Sequence, residues 1–258
     1  MIQKITGLFK TKAAVFVNNP IDVSGFQNKI KYTFENQDLL IQAVSHRSNY
    51  LNSEKQISSN ERLEFLGDAV LDLLVTEYLY KEFKNENEGA LSQKKAILVS
   101  RKVLGKITED IGLGEYLILN KGEEKTGGRK RLSNLANLFE AILGAIYMDS
   151  GINSAKAFVD NFLLKNQKEL LKTKTYFNYK SLLLEFAQAK GWGAPKYFVI
   201  DETGPDHQKI FLIEVRVNDD QSAQGKGPNK KSGEQNAAKN ALKALSETYS
   251  ELTEIFKN

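Results

Sequence analysis

The chain has 258 residues, 41% of them hydrophobic and 26% charged, and its 36 basic and 32 acidic side chains leave a formal net charge of +4. This balance is typical of a globular protein and excludes collagen-like or disordered chains, while the length allows one large domain or two smaller ones. Because cysteine is absent and His46 and His207 are the only histidines, disulfides and thiolate metal sites are excluded, and a catalytic metal would have to rest mainly on carboxylates.

Residues 1–20 carry three lysines, no acid, and apolar residues spaced for one helix face. We interpret them as an N-terminal extension rather than an organelle presequence, because they contain no arginine and little serine. No stretch approaches the roughly 18 apolar residues of a membrane span, and the N-terminus lacks the apolar core of a secretory signal. We therefore expect a cytoplasmic protein that does not contact membranes.

Helical apolar spacing continues from about Phe26 to Leu164 and predicts an all-α domain over residues 21–165. The lysine-rich stretch that follows has few large apolar residues, so residues 166–176 are predicted to form a linker.

A long helix is predicted from Asn60 to Val75, with apolar residues in nearly every direction, so we expect other helices to enclose it. Four acids share one of its faces at spacings of three, seven and eleven residues: Glu61, Glu64, Asp68 and Asp72. Like charges at these spacings repel unless a cation neutralises them. A solvent-facing acidic edge is the alternative interpretation, because acidic helix faces are common.

A second helix, from Leu135 to Tyr147, is also apolar nearly all round, with Asn137, Glu140 and Gly144 on one face. If the two polar faces meet, they form a pocket lined by oxygen atoms. Mg²⁺ prefers a few carboxylate or carbonyl ligands and keeps waters for substrate phosphates. The two helices together predict such a site.

The spacing changes after the linker. Tyr179–Lys190 is predicted to be helical, three short strands follow at Tyr197–Asp201, Lys209–Val217 and Ser222–Gly225, and a helix returns at Lys231–Thr248. This α-β-β-β-α order predicts a small α+β domain over residues 177–248, followed by a tail at residues 249–258.

The segment Asn60–Leu71 resembles the signature motif of the ribonuclease III family, Mg²⁺-dependent endonucleases that cleave double-stranded RNA. Further matches lie at Ser45–Ser48, Gly89–Ser92, Leu98–Ser100, Gly122–Glu123, Gly127–Arg129, Phe139–Ala141 and Gly144–Tyr147.

The resemblance implies that Glu64, Asp68, Asn137 and Glu140 hold Mg²⁺, with Mn²⁺ able to substitute, and that Glu61 accompanies them as a catalytic acid. It implies cleavage to 5′-phosphate and 3′-hydroxyl ends with short 3′ overhangs, in ribosomal-RNA precursor processing and RNA turnover, without a small-molecule cofactor. It also implies a homodimer through the signature helix, with Phe65 in the interface.

Asn137 departs from the family pattern, in which most members have Asp three residues before the second-helix Glu. The amide keeps an oxygen ligand but loses a charge, so metal affinity should fall. The alternative function is therefore a double-stranded-RNA-binding protein with a weakened or inactive cleavage site.

The C-terminal segment resembles a double-stranded-RNA-binding domain, which recognises the shape of A-form RNA. The resemblance implies that Lys226, Lys230 and Lys231 bind phosphates, that His207 reaches a minor groove, and that Glu185 contacts ribose 2′-hydroxyls. Residues 176–258 contain equal numbers of acidic and basic residues, so RNA binding must depend on where these lysines are placed.

Overall fold

The structure is a computed structural model that describes residues 21–50, 59–173, 176–205, 208–218 and 221–256. The predicted N-terminal extension and His207 lie outside these ranges. The chain divides into two compact units between Tyr176 and Phe177.

The first unit is helical. Its α-helices are α1 (Val23–Ile30), α2 (Gln37–Val44), α3 (Arg47–Tyr50), α4 (Glu61–Glu82), α5 (Glu88–Leu98), α6 (Arg101–Ile111), α7 (Lys121–Lys125), α8 (Leu132–Ser150), α9 (Ile152–Phe162) and α10 (Gln167–Lys172). Short 3₁₀ turns lie at Leu113–Tyr116, Gly128–Lys130 and Leu164–Asn166. Within the described ranges, no helix is long and apolar enough to cross a membrane.

Helix α8 forms the centre of this unit, and α2, α4, α6 and α9 pack around it. Its sequence is apolar on nearly every side, and the side chains from Leu135 to Ile146 are mostly buried, as expected for an enclosed helix. Side-chain N-caps define where several neighbouring helices begin, including Asn36 before α2, Asn87 before α5 and Ser100 before α6.

The expectation that α4 is enclosed on all sides is wrong for one face. Phe65, Leu73 and Tyr80 have relative exposures of 81%, 60% and 74%. The spacing of apolar residues does not distinguish a side chain that packs inside the domain from one that lies at its surface.

Part of the predicted linker is folded onto the first unit. Residues 167–172 form α10, which packs against α5, and Gln167 is buried. The segment from Lys121 to Arg131 is likewise built from α7 and a 3₁₀ turn.

The second unit has the predicted α-β-β-β-α order; its first and third strands are slightly longer than predicted, and its second strand is slightly shorter. It consists of α11 (Tyr179–Ala189), β1 (Lys196–Thr203), β2 (Ile210–Arg216), β3 (Ser222–Gly227) and α12 (Lys230–Leu245), followed by a 3₁₀ turn at Ser250–Leu252 and α13 (Thr253–Phe256). The strands form an antiparallel sheet in the order β1-β2-β3, with Ile213 paired to Val199 and to Gly225.

Helices α11 and α12 share with the sheet a core that includes Leu183, Ile213 and Leu242. An ideal Cβ on Gly225 would lie 2.1 Å from the backbone nitrogen of Ala237, so glycine is needed where β3 meets α12. The segment predicted as a tail packs onto the unit, because Leu252 is buried and Glu251 pairs with Lys190 at 2.8 Å.

Candidate active site

The crossing of α4 and α8 brings the predicted carboxylates together. An ideal Cβ on Gly67 would lie 1.8 Å from the carbonyl oxygen of Glu140, and one on Gly144 would lie 2.2 Å from that of Leu63. The two backbones can therefore approach this closely only because both positions are glycine. The crossing places the acidic face of α4 beside Glu140.

A polar cleft of about 720 Å³ opens beside this crossing. It contains all five acidic or amide residues that the sequence predicted for the site. Its lining includes Glu61, Glu64, Asp68, Asn137 and Glu140, together with His46, Arg47, Asn60, Phe65, Val99, Arg101, Ser133 and Asn134.

Among the residues that line the cleft, Glu140 has the largest pKa shift. Burial, followed by the negative charges of Asp68 and Glu64, raises the pKa of its carboxyl to about 7. Burial and the neighbouring Glu61 also raise the pKa of Glu64. These carboxylates therefore form a partly buried cluster in which burial and like charges together disfavour ionisation.

The two ends of the acidic face have cationic partners. At one end, Arg47 Nη1 lies 3.6 Å from Glu61 Oε1, and the Ser59 hydroxyl donates a hydrogen bond to the same carboxylate. At the other end, Lys95 Nζ lies 3.3 Å from Asp72 Oδ2. Asp72 is absent from the lining of the cleft.

The amide of Asn137 donates a hydrogen bond to the Glu64 carboxylate, which lowers the pKa of Glu64 against the effect of burial. An aspartate at this position would instead repel Glu64. The chemical consequence of Asn137 is therefore a loss of negative charge together with a gain of one hydrogen bond.

Three carboxylates and one amide oxygen along one cleft are the hard oxygen donors that Mg²⁺ prefers. Burial first, and then the charges of Asp68 and Glu64, raise the pKa of Glu140, so a cation at this place would favour its ionised form. In the described part of the chain, no group of three or more His, Asp or Glu side chains is already arranged to hold a metal ion. The donor types fit a divalent cation, and the side chains would have to reorient to bind it.

Arg101 is a cleft residue that sequence reasoning missed. It is the first residue of α6 and lines the cleft, and its positive charge lowers the pKa of both Glu64 and Glu140. The only indication in the sequence is its position directly after the matched segment that ends at Ser100.

His46, Arg129 and Arg131 make contacts within the domain. His46 Nδ1 accepts a hydrogen bond from the backbone N–H of Ser48. Arg129 donates to the carbonyl oxygens of Gly114, Glu115 and Leu117. Arg131 forms an ion pair with Glu123. These contacts indicate structural roles for His46 and for both arginines.

In the second unit, the three predicted phosphate-binding lysines lie on β3 and at the start of the helix that follows it. Lys226 is exposed on β3, and Lys230 and Lys231 are the exposed first residues of α12. The Asn229 side chain caps this helix by accepting from the backbone N–H of Ser232 at 2.9 Å.

Helix α12 also holds β3 through its amide side chains. Asn236 donates to the carbonyl oxygen of Lys226 and Asn240 to that of Gln224, both at 2.8 Å. These bonds fix the strand that carries Lys226 against the helix that begins with Lys230 and Lys231. Glu185 is exposed on α11.

Comparisons with known proteins cover both units. A family model described as Ribonuclease-III-like matches residues 36–167, and the double-stranded RNA binding motif matches residues 179–245. The chain is 42% identical over 225 residues to Ribonuclease 3 of Pseudothermotoga lettingae, covering 85% of this chain and 94% of that protein. It is also 42% identical over 229 residues to Ribonuclease 3 of Clostridium tetani, covering 89% and 97%.

A solved structure of the nuclease domain of ribonuclease III from Campylobacter jejuni, described for flexibility in a region involved in dimer formation, is 39% identical. It matches with a TM-score of 0.52 and covers 56% of this chain and 98% of that domain.

Proposed function

This chain belongs to the ribonuclease III family, and from that premise we propose that its cleft cleaves double-stranded RNA with the help of Mg²⁺. The observation that carries the proposal is the crossing of α4 and α8, which brings Glu64, Asp68 and Glu140 into one cleft. The unit before Phe177 performs the cleavage, and the unit after it binds the duplex.

Glu64, Asp68 and Glu140 would hold the metal, with the Asn137 oxygen as a fourth ligand and Mn²⁺ able to substitute for Mg²⁺. A divalent cation at this site supplies Lewis-acid activation of the phosphodiester and of the attacking water. Glu61 is a further catalytic acid of the cleft, and it pairs with Arg47. The products have 5′-phosphate and 3′-hydroxyl ends with short 3′ overhangs.

The second unit would bind the duplex through its shape. Lys226, Lys230 and Lys231 bind backbone phosphates, and the N-terminus of α12 adds free N–H groups near two of these lysines. Glu185 and His207 contact the minor grooves. We further propose that the enzyme acts in the cytoplasm, on ribosomal-RNA precursors and in RNA turnover.

The exposed apolar face of α4 supports a homodimer. This helix has three large exposed side chains, Phe65, Leu73 and Tyr80. A group of large exposed apolar side chains on one helix indicates an interaction surface. We expect sedimentation of the full chain to show a dimer and Phe65→Glu to shift it toward monomer. Leu184→Glu, at an apolar residue of the second unit that is 36% exposed, is the control and should leave the dimer intact.

Cleavage of a long RNA duplex in Mg²⁺ tests the function directly. The unaltered protein should cut the duplex, Glu140→Gln should abolish cutting, and Asn137→Asp should lower the Mg²⁺ concentration needed. If the unaltered protein binds the duplex without cutting it and Asn137→Asp restores cutting, the protein is an RNA-binding protein with a weakened site.

A further inference from the structure

Arg101 is the basic residue of the cleft whose role the metal site does not explain. It is exposed and lines the same cavity as Glu64, Asp68 and Glu140. Its positive charge lowers the pKa of both Glu64 and Glu140. We propose that the Arg101 guanidinium binds a phosphate of the RNA strand that enters the cleft. This inference rests on the proposed function and names a substrate-binding residue for it.

The neighbouring arginines differ from Arg101 in having acidic partners. Arg47 pairs with Glu61, and Arg131, in the adjoining cavity, pairs with Glu123. The Arg101 guanidinium forms no hydrogen bond or salt bridge with any residue that the structure describes. Its guanidinium is therefore available to a ligand, while the charges of the other two arginines are already matched by the protein.

The sign of its charge indicates what that ligand is. A positive side chain beside Glu64 and Glu140 lowers their affinity for a divalent cation, because it competes for the same negative charge. The same side chain favours an anion in the cleft. A guanidinium presents a planar set of donors that matches two oxygens of one phosphate group.

Its position on α6 is unfavourable for the helix alone. Arg101 and Lys102 occupy the first turn of α6, which contains no acidic residue. The positive end of the helix dipole repels cations at this position and attracts anions. A phosphate bound by Arg101 would therefore interact favourably with both the side chain and the end of the helix.

The test compares Arg101→Ala, Arg101→Lys and the control Lys102→Ala in the full-length protein. Lys102→Ala removes the same charge from the same helix turn, at a residue that is absent from the cleft lining. Binding to a short RNA duplex is measured in Ca²⁺ without Mg²⁺ over a range of salt concentrations, with a gel to check that the RNA stays intact. Cleavage is then measured as a function of Mg²⁺ concentration.

We expect Arg101→Ala to weaken duplex binding roughly 3- to 10-fold and to reduce the salt slope by about one, as for the loss of one phosphate contact. Arg101→Lys should keep most of the slope. The Mg²⁺ concentration for half-maximal cleavage should fall in Arg101→Ala, because a competing cation is gone. This opposite effect on RNA and metal is not expected from a merely structural residue.

An unchanged salt slope in Arg101→Ala, or a change no larger than in Lys102→Ala, would overturn the proposal. So would an Arg101→Ala variant that needs more Mg²⁺ than the unaltered protein. Failure of the unaltered protein to cleave any duplex would instead refute the proposed function, and the binding measurements would still decide the role of Arg101.

Discussion

Glu140→Gln should make the metal-free protein more stable while it removes a metal ligand. In the folded chain, burial and the charges of Asp68 and Glu64 raise the pKa of Glu140 from 4.5 to about 7. A difference of this size corresponds to about 3 kcal/mol against the ionised form. Because part of the Glu140 side chain is exposed to solvent, screening reduces the expected cost to about 1–2 kcal/mol.

The sign of the pH dependence follows from the direction of the pKa change. Below about pH 4.5 the carboxyl is protonated in both states, so it contributes nothing to the free energy of unfolding. Between about pH 4.5 and 7 the unfolded chain releases the proton while the folded chain keeps it, so stability falls as pH rises. Above about pH 7 the full cost is present. Glu140→Gln should therefore gain stability at about pH 8 and little at about pH 5.

Urea unfolding in EDTA at both pH values measures the effect, followed by the same experiment in Mg²⁺. In Mg²⁺ the unaltered protein should become more stable than Glu140→Gln, because the metal binds the folded unaltered protein and stabilises it. Glu77→Gln is the matched control, since Lys81 lowers the pKa of the exposed Glu77. Its amide should not stabilise the protein at either pH. A Glu140→Gln variant that is less stable than the unaltered protein in EDTA at about pH 8 would refute the reasoning.

Three further variants test other parts of the structure. Asn137→Asp should lower the Mg²⁺ concentration required for cleavage by roughly 10-fold or more. It should also destabilise the protein in EDTA, because the new charge faces Glu64. Thermal unfolding without and with metal measures the two opposite changes in stability. Gly67→Ala should cost roughly 1–3 kcal/mol or more and reduce cleavage, because its Cβ would meet the Glu140 carbonyl. Gly89→Ala is its control, because the nearest atom to that Cβ is 3.6 Å away and the helix gains from alanine. Lys230→Ala with Lys231→Ala should weaken RNA binding across sequences and reduce the salt slope by about two; an equal slope would remove both lysines from the interface.

The local sequence contains enough information to predict the elements that build the site. An apolar helix with a polar face needs a polar neighbour or solvent, and two such helices in one domain predict a shared polar pocket. The period-two pattern from Lys209 to Val217 likewise predicted the central strand of the second unit, which the structure has at Ile210–Arg216. These predictions succeed because they depend on residues close together in the chain.

Pairings between distant parts of the chain could not be predicted in this way. The ion pair of Lys95 with Asp72 and the three carbonyl contacts of Arg129 depend on tertiary packing. The position of Arg101 beside the carboxylates depends on how the start of α6 meets the cleft. The exposure of Phe65 could not be predicted from the helical pattern either, because apolar residues have the same spacing whether they lie in a core or in an interface.

The structure divides the four acids of α4, which are equivalent in sequence, into two groups with different chemistry. Glu61 and Asp72 at the ends meet Arg47 and Lys95, so their charges are balanced within the protein. Glu64 and Asp68 instead face Glu140, whose pKa is raised first by burial and then by the charges of these two carboxylates. If the acidic face served stability alone, its central residues would be the ones to gain partners, because they are the most crowded. The salt-bridge partners lie at the ends, and the central acids, which form no salt bridge with any described residue, lie where we propose that a divalent cation binds.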